Sequence, residues 1–111
     1  MADMSLPTGD ELLKVLATLA NPHRLRVVAA LTEERNYVSR LARELGISRA
    51  LLQVHLRKLE AAGLVSGHLE LSDDGKALKY YEVNGFAYDL TPAAIAAAVR
   101  TLSTSDEQKG T

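Results

Sequence analysis

Arg49 and Gln53, four residues apart, carry donor and acceptor groups suited to the edges of base pairs. A guanidinium can pair with guanine O6 and N7, and a carboxamide with adenine N6 and N7. Spacing of four places both side chains on one face of a helix. Ala50 and Val54 share that side and suit contact with a thymine methyl. The chain around them is basic. Residues 35–58 hold Arg35, Arg40, Arg43, Arg49, Arg57 and Lys58 against Glu44 alone, net +5, although the 111-residue chain carries a formal charge of −1. Such a local excess fits a phosphate-binding surface, with Arg40, Arg43, Arg57 and Lys58 as contacts that set affinity and salt dependence. Ser48 is explained by helix capping, and a phosphate contact there would be additional. The plainer reading of each position is a solvated helical face.

Other chemistries find little support. The chain has no cysteine, which removes disulfides, thiolate metal sites, cysteine nucleophiles and thiol redox sensing. His23, His55 and His68 are not at ligand spacing. His55, just before the inward Leu56, reads as a packing or hydrogen-bonding residue, and His23 as a surface residue. No nucleophile–base–acid set and no glycine-rich phosphate loop is recognisable, so neither an enzyme nor a cofactor or metal is expected. No apolar run approaches the ~20 residues of a membrane span. The opening MADMSLPTGD lacks the parts of a signal peptide, and a cytoplasmic location is expected.

The elements that position these groups are mainly helical. Thr8 and Glu11 form a capping box for a first helix whose Leu12, Leu13, Leu16, Leu19 and Ala20 show helical spacing. Asn21 and Pro22 restart the chain as a second helix with Leu25, Val28, Ala29 and Leu31 inward. Glu33 to Asn36 reads as a polar connection. A third helix spans Val38 to Leu45 and stops at Gly46; Ser48 caps a fourth that reaches about Ala62, with Leu52, Leu56 and Leu59 inward and Gly63 beyond its end. So short a connection makes the two helices cross as a helix-turn-helix. Period-two stretches around Leu64–Leu71 and Leu78–Val83, separated by Ser72-Asp73-Asp74-Gly75-Lys76, give a hairpin. Thr91 and Pro92 open a last helix that is nearly apolar all round.

The fold class is thus mainly α with a small β-hairpin. Residues 1–7 and 103–111 read as flexible tails around one domain, 8–102. An uncharged, alanine-rich last helix suits burial, and a two-fold dimer supplies it. Leu12, Leu13 and Leu16 of the first helix and Ile95, Ala98, Val99 and Leu102 of the last are the candidate dimerisation residues. The alternative is that both helices wrap their own monomer.

This order of elements resembles the winged helix-turn-helix regulators of the ArsR/SmtB type. The resemblance covers residues 10–102 and rests on Leu19 to Arg26, Val38 to Leu45, Gly46-Ile47-Ser48, His55 to Leu59, Glu60 to Val65 and the hairpin closing on Lys79-Tyr80-Tyr81. It implies a homodimeric repressor that binds an inverted-repeat operator in double-stranded DNA and leaves it when an effector binds. It also implies wing contacts to DNA, for which Lys76 and Lys79 are candidates, although Asp73 and Asp74 repel phosphate. The family's metal sites do not carry over. Tyr37 and Ser39 stand where many relatives have a Cys-x-Cys pair, and Thr91 to Leu102 contains no His, Asp or Glu. Non-metal relatives respond to small molecules or to protein partners, or act constitutively; for a small-molecule effector Tyr80, Tyr81, Phe86 and Tyr88 are candidates to line the pocket, and the plainer reading is that they close the core. The competing function is a winged-helix protein-interaction module that does not read DNA.

Overall fold

Side-chain caps set most of the helix boundaries in the computed structural model, which describes residues 6–103. The Thr8 N–H donates to Glu11 Oε1 at 2.9 Å and the Glu11 N–H to Thr8 Oγ1 at 3.1 Å, the reciprocal capping box that opens α1 (Gly9–Leu19). Asn21 Oδ1 accepts the Arg24 N–H at 3.1 Å ahead of α2 (Pro22–Glu33). There follow β1 (Asn36–Tyr37), α3 (Val38–Leu45), α4 (Arg49–Ala61), β2 (Val65–Leu71), β3 (Ala77–Val83) and α5 (Pro92–Val99). Thr91 Oγ1 caps α5 by accepting the Ala94 N–H at 3.0 Å. The three strands form one antiparallel sheet in the order β1-β3-β2, and Gly75, at φ 85°, turns the β2–β3 hairpin.

The chain divides into two compact units. One runs from Thr18 to Phe86 and contains α2 to β3. Leu41, Leu52, Leu56, Leu59, Leu64 and Val27 are fully buried in it. The other joins the described residues up to Ala17 with those from Ala87 onward, and buries Leu12, Val15 and Ala98. The tails expected at 1–7 and 103–111 fall almost wholly outside the described residues.

Two local readings are corrected. Asn36, taken as part of a connection, is a strand residue opposite Tyr81, with Tyr37 opposite Tyr80. A two-residue strand is too short for its period to show in sequence. The polar side chain of Asn36 is buried because its Nδ2 donates to Glu44 Oε1 at 3.2 Å and its Oδ1 accepts the Tyr37 N–H at 2.9 Å. In α2 the inward face is Val27 and Leu31, whereas Leu25 and Ala29 are exposed. The helix is turned this way because Arg24, in line with Val27 and Leu31 at helical spacing, faces inward. Its Nη1 donates to the Thr18 carbonyl at 3.0 Å and its Nε to His55 Nδ1 at 3.2 Å. In α1 the buried line is Leu12, Val15 and Thr18, and Leu13 and Leu16 are exposed.

His55 is the buried packing residue its position indicates, but only half of its ring is satisfied. Accepting from Arg24 at Nδ1 puts the ring proton of the neutral form on Nε2, which is buried without a partner. Burial above all, then the charges of Arg24, His23 and Lys58, hold the His55 pKa below its ordinary 6.5. An unfolded chain therefore takes up this proton more readily than the folded one. The stability due to neutral His55 is fully present above about pH 6.5 and is lost as the pH falls through that value toward the lower folded pKa. The thermal midpoint is expected to drop between about pH 7.5 and 5.5, and His55→Gln to flatten that drop. A variant as pH-sensitive as the parent in calorimetric scans would assign the effect to other groups.

Candidate nucleic-acid interface

The turn between α3 and α4 is built from backbone hydrogen bonds. At the end of α3, Gly46 is left-handed at φ 71°, a conformation that glycine adopts without a Cβ clash. The Gly46 N–H donates to the Arg43 carbonyl at 3.3 Å and the Ile47 N–H to the Ala42 carbonyl at 3.1 Å, which closes the helix end. Two residues later Ser48 Oγ accepts the Leu51 N–H at 3.0 Å and starts α4. Leu52, Leu56 and Leu59 are completely buried, so the opposite side of α4 must face outward. Arg49, Ala50, Val54, Arg57 and Lys58 are exposed there and Gln53 is half-buried. At the end of α4 the Leu64 N–H donates to the Leu59 carbonyl at 2.9 Å past left-handed Gly63.

Arg49, Ala50 and Gln53 share a groove of about 450 Å³ with Tyr37, Val38 and Ser39 at the start of α3 and with Ala77, Leu78 and Lys79 of β3. Thus the first turns of both helices and the turn-proximal end of the hairpin meet at one place. Lys79 extends across the Tyr81 ring, its Nζ 5.4 Å from the centroid. Tyr37 and Ser39 were not singled out for this role by sequence, and neither was Leu51, which is exposed in the first turn of α4. Lys76 lies at the hairpin tip beside Asp74, whose carboxyl is held below the usual carboxylate range by the Ser72 hydroxyl and then by the Lys76 N–H. The tip therefore keeps a negative charge next to its lysine.

Electrostatically, the basic segment is less uniform than its composition. Arg40 Nη2 pairs with Glu34 at 2.6 Å and Arg40 Nε with Glu44 at 3.0 Å, so its charge is already matched. Arg35 pairs with Glu70, which also meets His68 Nε2 at 3.0 Å, and Arg35 lies 4.5 Å over the Tyr80 ring. The counting window 35–58 hid these neutralisations because Glu34 and Glu70 lie outside it. Among the described residues no carboxylate is within ion-pair distance of Arg43, Arg49, Arg57 or Lys58.

The four aromatics expected to line an effector pocket are divided between the two units. Tyr80 and Tyr81 are adjacent in a strand and point to opposite faces. Tyr81 is buried, while Tyr80 meets Tyr37 edge-on at 5.4 Å. Phe86 closes the Thr18–Phe86 unit in sequence and Tyr88 belongs to the other unit. Leu13, Leu16, Ile95 and Val99 are exposed, Leu102 is half-buried, and Leu12 and Ala98 are buried within their own chain.

A helix-turn-helix with an outward polar face on its second helix, flanked by a β-hairpin, defines the class: a helix-turn-helix domain of the winged type. The model of the helix-turn-helix domain family matches residues 19–68. An uncharacterized HTH-type transcriptional regulator of Methanocaldococcus jannaschii is 33% identical over 78 residues, 70% of this chain and 81% of that protein. The nodulation protein NolR of Rhizobium meliloti is 43% identical over 51 residues, 46% of this chain and 42% of that protein. In fold the chain is similar to the transcriptional regulator HlyU from Vibrio vulnificus, at TM-score 0.57 and 23% identity, with 82% of this chain and 83% of that one covered. The chain belongs to the HTH-type transcriptional regulators, a family of regulators and not of enzymes. Among the described residues no group of three or more His, Asp or Glu side chains is placed to hold a metal ion, and no helix is long and apolar enough to cross a membrane.

The pairing of Arg40 has a measurable consequence. Replacing Glu34 and Glu44 together by Gln releases its guanidinium and is expected to steepen the salt dependence of duplex binding by about one phosphate contact. An unchanged slope in fluorescence-anisotropy titrations would show that Arg40 cannot reach the backbone even when freed.

Proposed function

We propose that the chain is a homodimeric repressor of the ArsR/SmtB type, lacking the family's metal sites, that reads an inverted-repeat operator in double-stranded DNA from the cytoplasm. The observation that carries this reading is the division of α4. Its leucines are wholly buried while Arg49, Ala50 and Val54 are exposed, beside a groove that Gln53 and Lys79 also line. An α-helix with such a face fits the major groove, about 12 Å wide. Arg49 and Gln53 read base edges, with Ala50 and Val54 against thymine methyls. Arg43, Arg57 and Lys58 hold phosphates, Lys79 reaches the backbone from the hairpin, and Ser48 adds its hydroxyl beyond its role as cap. Arg40 contributes little while it is paired. Lys76 is the weaker of the two wing candidates because of its acidic neighbours.

Dimerisation uses the exposed apolar residues of α1 and α5. Leu13 is 50% exposed, Ile95 47% and Val99 56%, and Leu16 lies one turn from Leu13. Exposed leucine, isoleucine and valine on neighbouring turns favour burial by a second copy. Leu12 and Ala98, already covered, support the two helices from within. A protein-interaction module gains nothing from arginines left unpaired around Gln53, which is why DNA is the preferred partner.

Selection of genomic fragments by the purified protein, followed by footprinting, is expected to yield an inverted repeat with half-sites about one helical turn apart, roughly 34–36 Å, or a multiple of it. Gln53→Ala or Arg49→Ala is expected to relax preference at individual base pairs by roughly 1–3 kcal/mol, whereas Arg43→Ala weakens all duplexes alike. Uniform weakening by the first pair would overturn their assignment. Sedimentation is expected to give a dimer that Leu13→Glu with Val99→Glu converts to monomers; a parent protein that sediments as a monomer would overturn the symmetric model.

A further inference from the structure

The unit formed by residues up to Ala17 and from Ala87 onward contains a cavity of about 560 Å³, a size within the range of small-molecule sites. Its walls are mainly apolar, with Leu12, Tyr88, Ala94, Ala97 and Ala98 among them. Alanines at 94, 97 and 98 follow helical spacing along one face of α5 and leave room that larger side chains would fill. Ile95 and Val99 lie round the helix from this face, so the exposed apolar surface and the cavity wall are separate parts of α5. The first turn of α1 is fixed against the end of α5 that carries Ala98 and Thr101. Gly9 packs so closely on the end of α5 that a Cβ there would stand 2.3 Å from the Ala98 carbonyl oxygen. The Gly9 N–H donates to Thr101 Oγ1 at 2.7 Å, and the Thr101 hydroxyl donates to the Ala98 carbonyl at 3.1 Å.

Two charges line the cavity, Asp89 before α5 and Arg100 after it. At 1.5 Å per residue they stand about 12 Å or more apart along the helix, too far for one compact zwitterion. Neither makes an ion pair among the described residues. Arg100 has the longer reach and the planar fork that matches a carboxylate in bidentate fashion. We propose that this cavity binds a small apolar carboxylate, with the acid on Arg100 and the hydrocarbon body over Ala94, Ala97 and Tyr88, and that occupancy changes the affinity for DNA. Only the second half rests on the DNA-reading function proposed above. Filling the cavity shifts the face of α5 that bears Ala97, and through the same rigid helix the face that bears Ile95 and Val99.

The test is titration calorimetry of the full chain with 4-phenylbutyrate, neutral 4-phenylbutanol and cationic 4-phenylbutylamine. The acid is expected to bind once per chain, about tenfold more tightly than the alcohol. Arg100→Gln is expected to erase that advantage while leaving alcohol binding unchanged. Ala97→Phe and Ala94→Phe are each expected to abolish binding of both, with circular dichroism melts showing that at least one of them folds. No binding, equal affinity of acid and alcohol, tighter binding of the amine, or undiminished binding by the folded filled variant would each overturn the site. Duplex binding is measured first without any ligand. A protein that binds duplex but not the acid sinks the cavity alone, and one that binds the acid but no duplex sinks the DNA reading alone. Acid binding that leaves duplex affinity unchanged overturns the regulatory half.

Discussion

The outward face of α4 depends on the burial of Leu52, Leu56 and Leu59. Truncating a buried leucine to alanine typically costs about 2–5 kcal/mol, so three of them fix the helix firmly on its long axis. Rotation by one residue would withdraw a leucine from the core and drive the neighbouring Gln53 or Arg57 toward it. An unpaired buried charge costs several kcal/mol more. The core thus selects which side chains face outward, although none of the core residues touches anything outside the chain. Arg24 adds a polar pin to this apolar constraint. It reaches from α2 to His55 on α4 and to the Thr18 carbonyl, and ties the angle of α4 to α2. Hydrogen bonds of this kind are directional where hydrophobic contact is not, so they fix rotation as well as depth.

The arginines of residues 35–58 have the same chemistry and different employment. Arg35 and Arg40 join segments of the domain, one to Glu70 of β2 and the other to Glu34 and Glu44. These pairs are exposed and each adds little stability. Their larger effect is on the field, because they remove two positive charges from the surface and leave Arg43, Arg49, Arg57 and Lys58 as the local excess. The unmatched cations therefore stand on the two helices of the helix-turn-helix, which sharpens the potential at α4.

Much of this was legible in the sequence because it is written locally. Caps at Thr8, Asn21, Ser48 and Thr91 and the glycines at 46, 63 and 75 act over three to five residues, and each appears where its neighbours demand it. The leucine stripe of α4 is equally local. What stayed hidden depends on residues far apart in the chain. β1 exists because β3 pairs with it across more than forty positions, and the inward turn of Arg24 exists because His55 waits 31 residues away. Reading α2 by hydropathy alone favours Leu25 over an arginine, so the error follows from the rule. Likewise Glu34 neutralises Arg40 from a position that no charge count of the helix-turn-helix includes.

The last helix shows why composition alone could not resolve its role. An apolar helix without charge can be buried on every side or can serve two different surfaces, and a hydropathy pattern does not separate these cases. Its side-chain sizes do. Alanine at 94, 97 and 98 lines an open space, whereas isoleucine and valine at 95 and 99 present bulk to solvent. Small residues along an open space and large ones toward solvent are opposite requirements on one cylinder. They can be met together only because the two sets occupy different angular sectors. In the mechanism proposed above, dense packing and the rigidity of a helix carry a change on one sector to the other. The uncharged character of α5 is thus explained by two separate apolar surfaces joined in a single element.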